Sequence, residues 1–533
     1  MAVFDDLRMF VRFGLGLPAF LRHPITPDEA RATIRHNLAH REQNFLRLVE
    51  KGIFGYPRSP YRPLFEAAGC TLGDVRQMVR NVGLDDTLER LRQAGVFVTF
   101  EEFKGRAPLV RNGRTFRVTA RDFRNPYLAA SFSAQSSGTT GAGTRVDIDL
   151  DHLAAQSAQL LVVEDAHGVA RVPMAVWRSI LPDGSGIANI LRAVHFGNVP
   201  DRWFSPFGSR DLRPALRFRL ATAGIVLLAR LSGRPIPSPE RVTMDQAEVV
   251  ARWAVTARDA RGACVVRAHV SMALRVSLAA QAKGWDLTGV TFMSGGEPPT
   301  PAKVAAITRG GASWLPVYIS SDAGCIGAGC VHPVDGNDLH LFTDGLALIE
   351  SPRLVPGSDV PVRAFCFTSL LPSSPLLLLN VESDDCGLIE RRKCGCPLEA
   401  CGLTDHVREV RSFRKLTGEG VTLVGTDIER VLEDVLPARF GGSPLDYQLR
   451  EEEDERGYTR LCLVISPAIA IESDAEVIDA VLSALKASNL AAGLAAAVWG
   501  QAGTLRIKRA DPSWTARGKF MLLERSRAAR SAR

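Results

Sequence analysis

The sequence predicts a mixed α/β protein with a large N-terminal domain and a small α+β C-terminal one, and three observations predict it. At 533 residues the chain exceeds what one hydrophobic core usually supports. From about Phe97 short β-rich runs, divided by Gly and Pro, alternate with helical stretches. From roughly Ser412 the order becomes strand, helix, hairpin, helix, strand, a unit of about 120 residues and within the usual domain range.

Residues 1–95 read as a helical lead-in. Asp28–Lys51 and Thr71–Ala94 carry apolar residues every three or four positions, and Thr26-Pro27-Asp28-Glu29 is a helix start. Further helices are expected at Met244–Ala260 and Val270–Ala282, and in the small domain at Asp427–Val435 and Glu476–Ser488. The charged run Arg450–Gly457 separates two expected strands, Leu445–Leu449 and Tyr458–Ile465, and reads as a solvated hairpin turn. The division is therefore 1–411 and 412–533.

Composition is that of a folded globular protein, 46% hydrophobic and 23% charged. The net charge of +7 is scattered, without zinc-finger spacing, an RNA-binding signature or a basic–aromatic stripe, so anionic small molecules are expected as partners rather than nucleic acid. Met9–Leu17 is too short and interrupted to span a bilayer and lacks a secretory cleavage pattern, so a cytoplasmic location is expected. Of ten cysteines, seven fall from Cys325 to Cys401, with three in Cys394-Gly395-Cys396-Pro397-Leu398-Glu399-Ala400-Cys401. In that setting the crowding points to metal before disulfide.

Four segments carry residue types suited to binding a nucleotide. In Ser136-Ser137-Gly138-Thr139-Thr140-Gly141-Ala142-Gly143-Thr144, small hydroxyls and glycines leave backbone N–H groups free to approach phosphate oxygens. It is neither a Walker loop nor a dinucleotide fingerprint, and on composition alone it is equally a polar surface turn. Ser294-Gly295-Gly296-Glu297-Pro298 follows the expected strand Val290–Met293, and Tyr318–Gly324 follows the run Trp314–Val317. Asn380–Gly387 is expected to end a buried strand with carboxylates. In open α/β sheets ligands bind beyond the carboxyl ends of strands, where such loops lie. Taken singly, each is also a turn closing a strand.

Their order, together with Thr515-Ala516-Arg517-Gly518-Lys519 near the C-terminus, resembles the adenylate-forming enzymes over about residues 95–525. The similarity is nearest the phenylacetate–CoA ligase branch, with an acyl-protein synthetase flavour in Lys415-Leu416-Thr417-Gly418-Glu419-Gly420. The resemblance implies ATP-dependent activation of a carboxylic acid as acyl-adenylate, then transfer to coenzyme A. Transfer to an amine, a carrier-protein thiol or a protein cysteine is the alternative, and a non-catalytic nucleotide-binding regulator the reading from another class. It further implies that Ser136, Ser137, Gly138, Thr139, Thr140, Gly141, Gly143 and Thr144 hold the β- and γ-phosphates. Gly296, Glu297 and Pro298 line the adenine, Tyr318 stacks on it, Ser321 touches the α-phosphate and Asp385 binds the ribose. Asp322 stands where the family places a magnesium-holding Glu. Arg411, or Arg414 on a shifted alignment, precedes the hinge of a mobile small domain, and Lys519 reaches the α-phosphate from that domain. Ala142 departs from the family's lysine, and Asp322 is one methylene short.

Phenylacetate–CoA ligase relatives carry a similar Cys…His…Cys-x-Cys arrangement, which implies structural zinc held by Cys330, His340, Cys394 and Cys396, a closed set with no open position. Cys325, His332, Cys386 and Cys401 are substitutes, and buried inert cysteines the alternative. Expected partners are thus a small carboxylic acid and CoA or another acyl acceptor, with neither nucleic acid nor a membrane span, and with a homodimer left open. Trp177, Phe196, Trp203 and Phe204, within Val162–Ser238, favour an apolar or aromatic acid.

Overall fold

The computed structural model describes the chain except residues 1, 106, 129–130, 136–144, 182, 207–215, 297–298, 300, 355–360, 413–416, 419–420, 423–425, 454–458, 489–495, 497–498, 500–503, 515–517, 519 and 526–533. Its centre is a sheet of 12 described strands. One half is parallel: Ser313–Ser320, Val290–Gly295, Cys264–Ala268, Met174–Trp177, Arg202–Ser205 and Pro239–Arg241, in that spatial order. The other half turns antiparallel from Gly324–Gly329 through Leu339–Leu341, Asp405–Ser412, Val381–Arg391 and Pro361–Ser369 to Leu346–Leu354.

Both faces of the parallel half are covered, which is why its strands are continuously apolar. Val176, Trp203 and Val265 join a core with the helices Ala2–Arg22, Leu150–Ala166 and Ser185–His195, whereas Ala175, Trp177, Phe204 and Val266 pack against Ala247–Arg261 and Val270–Ala282. Alternate residues of one strand thus serve opposite layers. A further core joins the N-terminal helices to the antiparallel half. No described helix is long and apolar enough to cross a membrane.

After Ser412 lies a separate four-stranded sheet, with its own apolar core around Tyr447, Leu463, Val477 and Trp499. The strands Tyr447–Glu453 and Thr459–Ile465 pair antiparallel, so Arg450–Glu453 of the charged run lie within a strand rather than in a turn, and the rest of the run lies outside the described residues. The small unit touches the large one: Phe520 and Leu445 enter the core beside Val270–Ala282, and Lys303 pairs with Glu433 at 2.8 Å with both side chains buried.

Several expectations are corrected. The first helical stretch breaks at His40 into Pro27–Ala39 and Arg41–Leu48, and the second kinks at Gly83, where φ is +80°. Tyr318 does not follow a strand but lies within Ser313–Ser320. Asp385 lies inside the eleven-residue strand Val381–Arg391 rather than at a strand end. Trp177, Phe196, Trp203 and Phe204 do not line an open pocket: they are 0%, 6%, 0% and 0% exposed and form core.

Candidate active site and cysteine–histidine cluster

The parallel strands end together, and backbone chemistry fixes how closely. Gly295 sits opposite Val317, and a Cβ on Gly295 would run into the Val317 carbonyl oxygen, so glycine lets the two strands close. Gly296 follows at φ +84°, in the left-handed region, which brings the start of the Gly-Glu-Pro segment alongside Tyr318. His269, at the end of Cys264–Ala268, lies 3.3 Å by Nδ1 from the Gly295 carbonyl and is itself bonded by Arg178 at 2.7 Å.

Tyr318 and Asp385, 67 residues apart, meet here: the phenol donates to Asp385 Oδ2 at 2.7 Å. Burial first, and the adjacent carboxylate second, push the phenol's pKa well above its ordinary value, so it stays a donor. Asp385 faces Ser412 across the sheet and Cys386 faces Arg411, so the backbone of Arg411 stands beside the pair; its side chain is outside the description.

Two residues past the strand end, Asp322 is one-quarter exposed and accepts a 2.6 Å ion pair from Lys104, which stands at the end of the short helix Phe100–Phe103. Its second oxygen, Oδ1, is buried with no hydrogen-bond partner among the described residues. A carboxylate oxygen so placed suits a hard cation, and Mg2+ needs only one or two protein carboxylates beside phosphate and water. Ser321 is exposed at the same turn.

The structure therefore brings together Gly296, Tyr318, Ser321, Asp322, Asp385 and the backbone of Arg411. Ser136, Ser137, Gly138, Thr139, Thr140, Gly141, Gly143, Thr144, Glu297, Pro298, Arg414 and Lys519 lie outside the described residues. Residues 136–144 are bracketed by the paired strands Ser131–Gln135 and Arg145–Asp149. Lys519 is bracketed by Gly518, which packs on Met244, and by Phe520, whose N–H donates to Ser271 Oγ at 3.2 Å. Ser271 is in the first turn of the helix that follows Cys264–Ala268, on the edge where Gly295 and His269 stand.

A second cluster lies farther along the sheet. Ligand atoms of Cys330, His340, Cys394 and His406 all lie within 4.8 Å of one another. Cys396 is equally close to part of that group, with its sulfur 3.1 Å from His340 Nε2, while the Cys394 sulfur is at 3.5 Å. His340 Nδ1 faces the Leu403 carbonyl at 2.8 Å, which makes Nδ1 the protonated nitrogen and turns the Nε2 lone pair toward the sulfurs. In a zinc tetrahedron nitrogen and thiolate sulfur ligands stand roughly 3.5 Å apart, a spacing these separations suit. The Cys330 thiol lowers the pKa of Cys396 by hydrogen bonding to it, and its own is raised in exchange. None of Cys325, His332, Cys386 and Cys401 belongs to the four-residue group.

Sequence reasoning missed Lys104, His269 and His406. For Lys104 and His269 nothing in the sequence signals the contact, because their partners are remote in the chain. His406 had a signal: it is the register partner of His340 in the neighbouring strand, ten residues past the Cys-x-Cys, and its Nδ1 bonds Asp338 at 2.8 Å. Its Nε2 is buried without a partner.

No family model matches the sequence, and neither does any curated protein. Among solved structures, the chain is similar to a 2-hydroxyisobutyryl-CoA ligase in its postadenylation state, at 15% identity and TM-score 0.49, covering 91% of this chain and 89% of that one. It is also similar to an anthranilate CoA ligase in complex with anthranoyl-AMP, at 12% identity and TM-score 0.45, covering 82% and 74%. A third is the amide bond synthetase McbA from Marinactinospora thermotolerans, at 13% identity and TM-score 0.39, covering 95% and 97%.

Proposed function

We propose that this chain activates a carboxylic acid with ATP as an acyl-adenylate and passes the acyl group to coenzyme A, an acid–thiol ligase of the phenylacetate–CoA ligase-like branch. The observation that carries the reading is the meeting of Tyr318 and Asp385 close to Gly296 and Asp322: segments separated by up to 89 positions, recognised in the sequence by their order, come together at the Tyr318 side chain.

A carboxylate oxygen of the acid attacks the α-phosphorus, the bond to the bridging oxygen breaks, and pyrophosphate leaves. Negative charge accumulates in the transition state, so preorganised donors and cations set the rate. Gly296 lines the adenine with Glu297 and Pro298, Tyr318 stacks on it, and Asp385 holds the ribose hydroxyls. Ser321 donates toward the α-phosphate, and Lys519 supplies a positive charge there from the small domain, residues 412–533. Asp322 holds Mg2+, which neutralises phosphate charge when bound. Lys104 holds the Asp322 carboxylate in place through their ion pair. Thiolate then attacks the acyl carbon and AMP leaves. Cys330, His340, Cys394 and Cys396 hold a structural Zn2+ that ties the loop after Val381–Arg391 to Leu339–Leu341 and acts on stability alone.

Carboxylate-dependent ATP–pyrophosphate exchange across a panel of acids tests the reading, and thiol-dependent AMP release identifies the acceptor. ATP binding with no exchange for any acid would reassign the chain to a nucleotide-binding regulator.

A further inference from the structure

Beside the proposed nucleotide site, on the side of the helix Leu150–Ala166, lies a buried group of charged residues that no step above uses. The strand Gly324–Gly329 begins two residues after Asp322, and a Cβ on Gly324 would stand 2.7 Å from Gln156 Nε2 and 2.9 Å from His152 Nε2. The Gln156 amide bonds His152 Nε2 at 2.8 Å, and its oxygen accepts from Arg192 Nη1 at 2.8 Å. His152 and Gln156 thus pack against the backbone just past the Asp322 turn, and Gln156 carries the contact on to Arg192.

Arg192 is 4% exposed, and among the described residues no carboxylate pairs with it. Its neighbour Arg267, 1% exposed, is already neutralised by Glu164. Arg267 also donates to the Asn189 carbonyl at 3.1 Å and lies over the Phe196 ring. Two guanidinium groups face one carboxylate. His152 does not alter that balance, since burial, and secondarily Arg192, hold its pKa at about 4 and leave it neutral. The Cys325 thiol, pushed up by burial, stays neutral also. Asp344, the next acid along this helix face, is taken up by Gln159 at 3.0 Å and by Asn37.

The unmet hydrogen-bonding groups have the same sign. Arg192 Nε, Arg267 Nε and His152 Nδ1 are buried without partners. Gln156 donates to His152 Nε2, so the proton sits on Nδ1, and all three are donors. Glu164 Oε2 is the one unpartnered acceptor of the group, on an oxygen pair already facing Arg267. Two guanidinium groups and several unmet buried donors sharing the single carboxylate of Glu164 are costly in a folded protein and characteristic of a binding site.

We propose that Arg192 recognises an anionic group of the acid substrate, so that the acid activated here carries a second negatively charged group besides its reacting carboxylate. The inference rests on the adenylation reading for the reacting end. The second group is a carboxylate, phosphonate or sulfonate, and Arg192's planar fork suits the first two in bidentate fashion. This replaces the apolar or aromatic acid expected from Trp177 and Trp203.

Calorimetric titration tests it, using α,ω-diacids of three to eight carbons, their matched monoacids, and phosphonate and sulfonate analogues, in the presence of a non-hydrolysable ATP analogue. The expected result is at least tenfold tighter binding of one second-anion member than of its monoacid. Arg192→Met abolishes that preference with ATP affinity within twofold, and Arg192→Lys, retaining charge but not the fork, keeps part of it. A wild-type protein that binds every pair alike overturns the proposal, as does an Arg192→Met variant that keeps the preference. If Arg192→Met does not fold, the wild-type and Arg192→Lys titrations still decide. Absence of pyrophosphate exchange with a second-anion acid that binds would instead sink the adenylation reading while leaving Arg192 as an anion site.

Discussion

Asp385 and Tyr318 divide one job in a way substitution can separate. Removing the carboxylate by Asp385→Ala takes away a charge-assisted contact to ribose, worth about 1.5–3 kcal/mol, so ATP affinity should fall roughly ten- to hundredfold. Tyr318→Phe removes only the 2.7 Å hydrogen bond to Asp385 and keeps the ring, so its cost should stay near 1 kcal/mol. Calorimetry with ATP reads both, and equal losses would mean that the phenol itself meets the nucleotide. Asp344 offers a residue-scale test of stability instead. Burial raises its pKa from 3.8 to about 6 against the hydrogen bonds from Gln159 and Asn37. The folded state therefore holds this proton to higher pH than the unfolded one, and stability is lost as pH rises from about 4 to about 6. Asp344→Asn cannot ionise, so the melting-temperature gap between wild type and variant should move in the variant's favour across that window, by at most about 2–3 kcal/mol. A constant gap from pH 4 to 8 would show that Asp344 is not buried as described.

At the scale of elements, the order of the motifs was legible while their placement on strands was not, and the reasons are physical. Asn380–Gly387 is expected to end a buried strand, and the apolar Leu377, Leu378 and Leu379 just before it are indeed buried. Yet the Tyr61 hydroxyl donates to the Leu377 carbonyl and accepts from Leu379 N–H, doing with one side chain what a neighbouring strand would do. Asn380 then turns at φ +49°, its amide bonded to the Leu88 and Val96 carbonyls, and the strand begins only at Val381. Partners contributed from three hundred residues away leave no periodic signal. The cysteine-rich loop was legible because its ligands are local, and His406 was missed because strand pairing, not spacing, delivers it. Elemental analysis should find about one zinc per chain, and Cys394→Ser with Cys396→Ser should lower both metal content and melting temperature. The structure offers two candidates for the fourth ligand. Cys396, as a thiolate 3.1 Å from His340 Nε2, should close the tetrahedron, so Cys396→Ser should lose more zinc affinity than His406→Ala. The reverse order would place His406, oriented by Asp338, in the set.

The whole molecule turns on how the small unit is held. Lys303, from the helix Pro301–Thr308, and Glu433, from the small unit, form a 2.8 Å pair with side chains 4% and 1% exposed. Arg275 lies 3.6 Å over the Trp514 ring, and Phe520 is buried against the large domain. These contacts hold the residues on either side of Lys519 at the edge where the strands end, which on the proposed reading is the arrangement for adenylation. Transfer to the acceptor, on the proposed reading, needs the small domain to turn away, and turning strips Lys303 from Glu433. Lys303→Ala removes the ion-pair partner of a buried carboxylate and should cost about 3–5 kcal/mol, whereas Lys303→Met with Glu433→Leu removes both charges and should recover most of that loss. The double variant has no ion pair to break, so the two half-reactions should respond differently. Pyrophosphate exchange should stay within a few-fold of wild type, while the rate of thiol-dependent AMP release should change by more, in either direction, as the balance between orientations shifts. Lys519→Ala provides the matching control, since it should abolish most exchange and leave ATP affinity within a few-fold. Equal effects of the double variant on both half-reactions would show that the Lys303–Glu433 pair is a fixed structural joint, and that the small unit does not rotate about it.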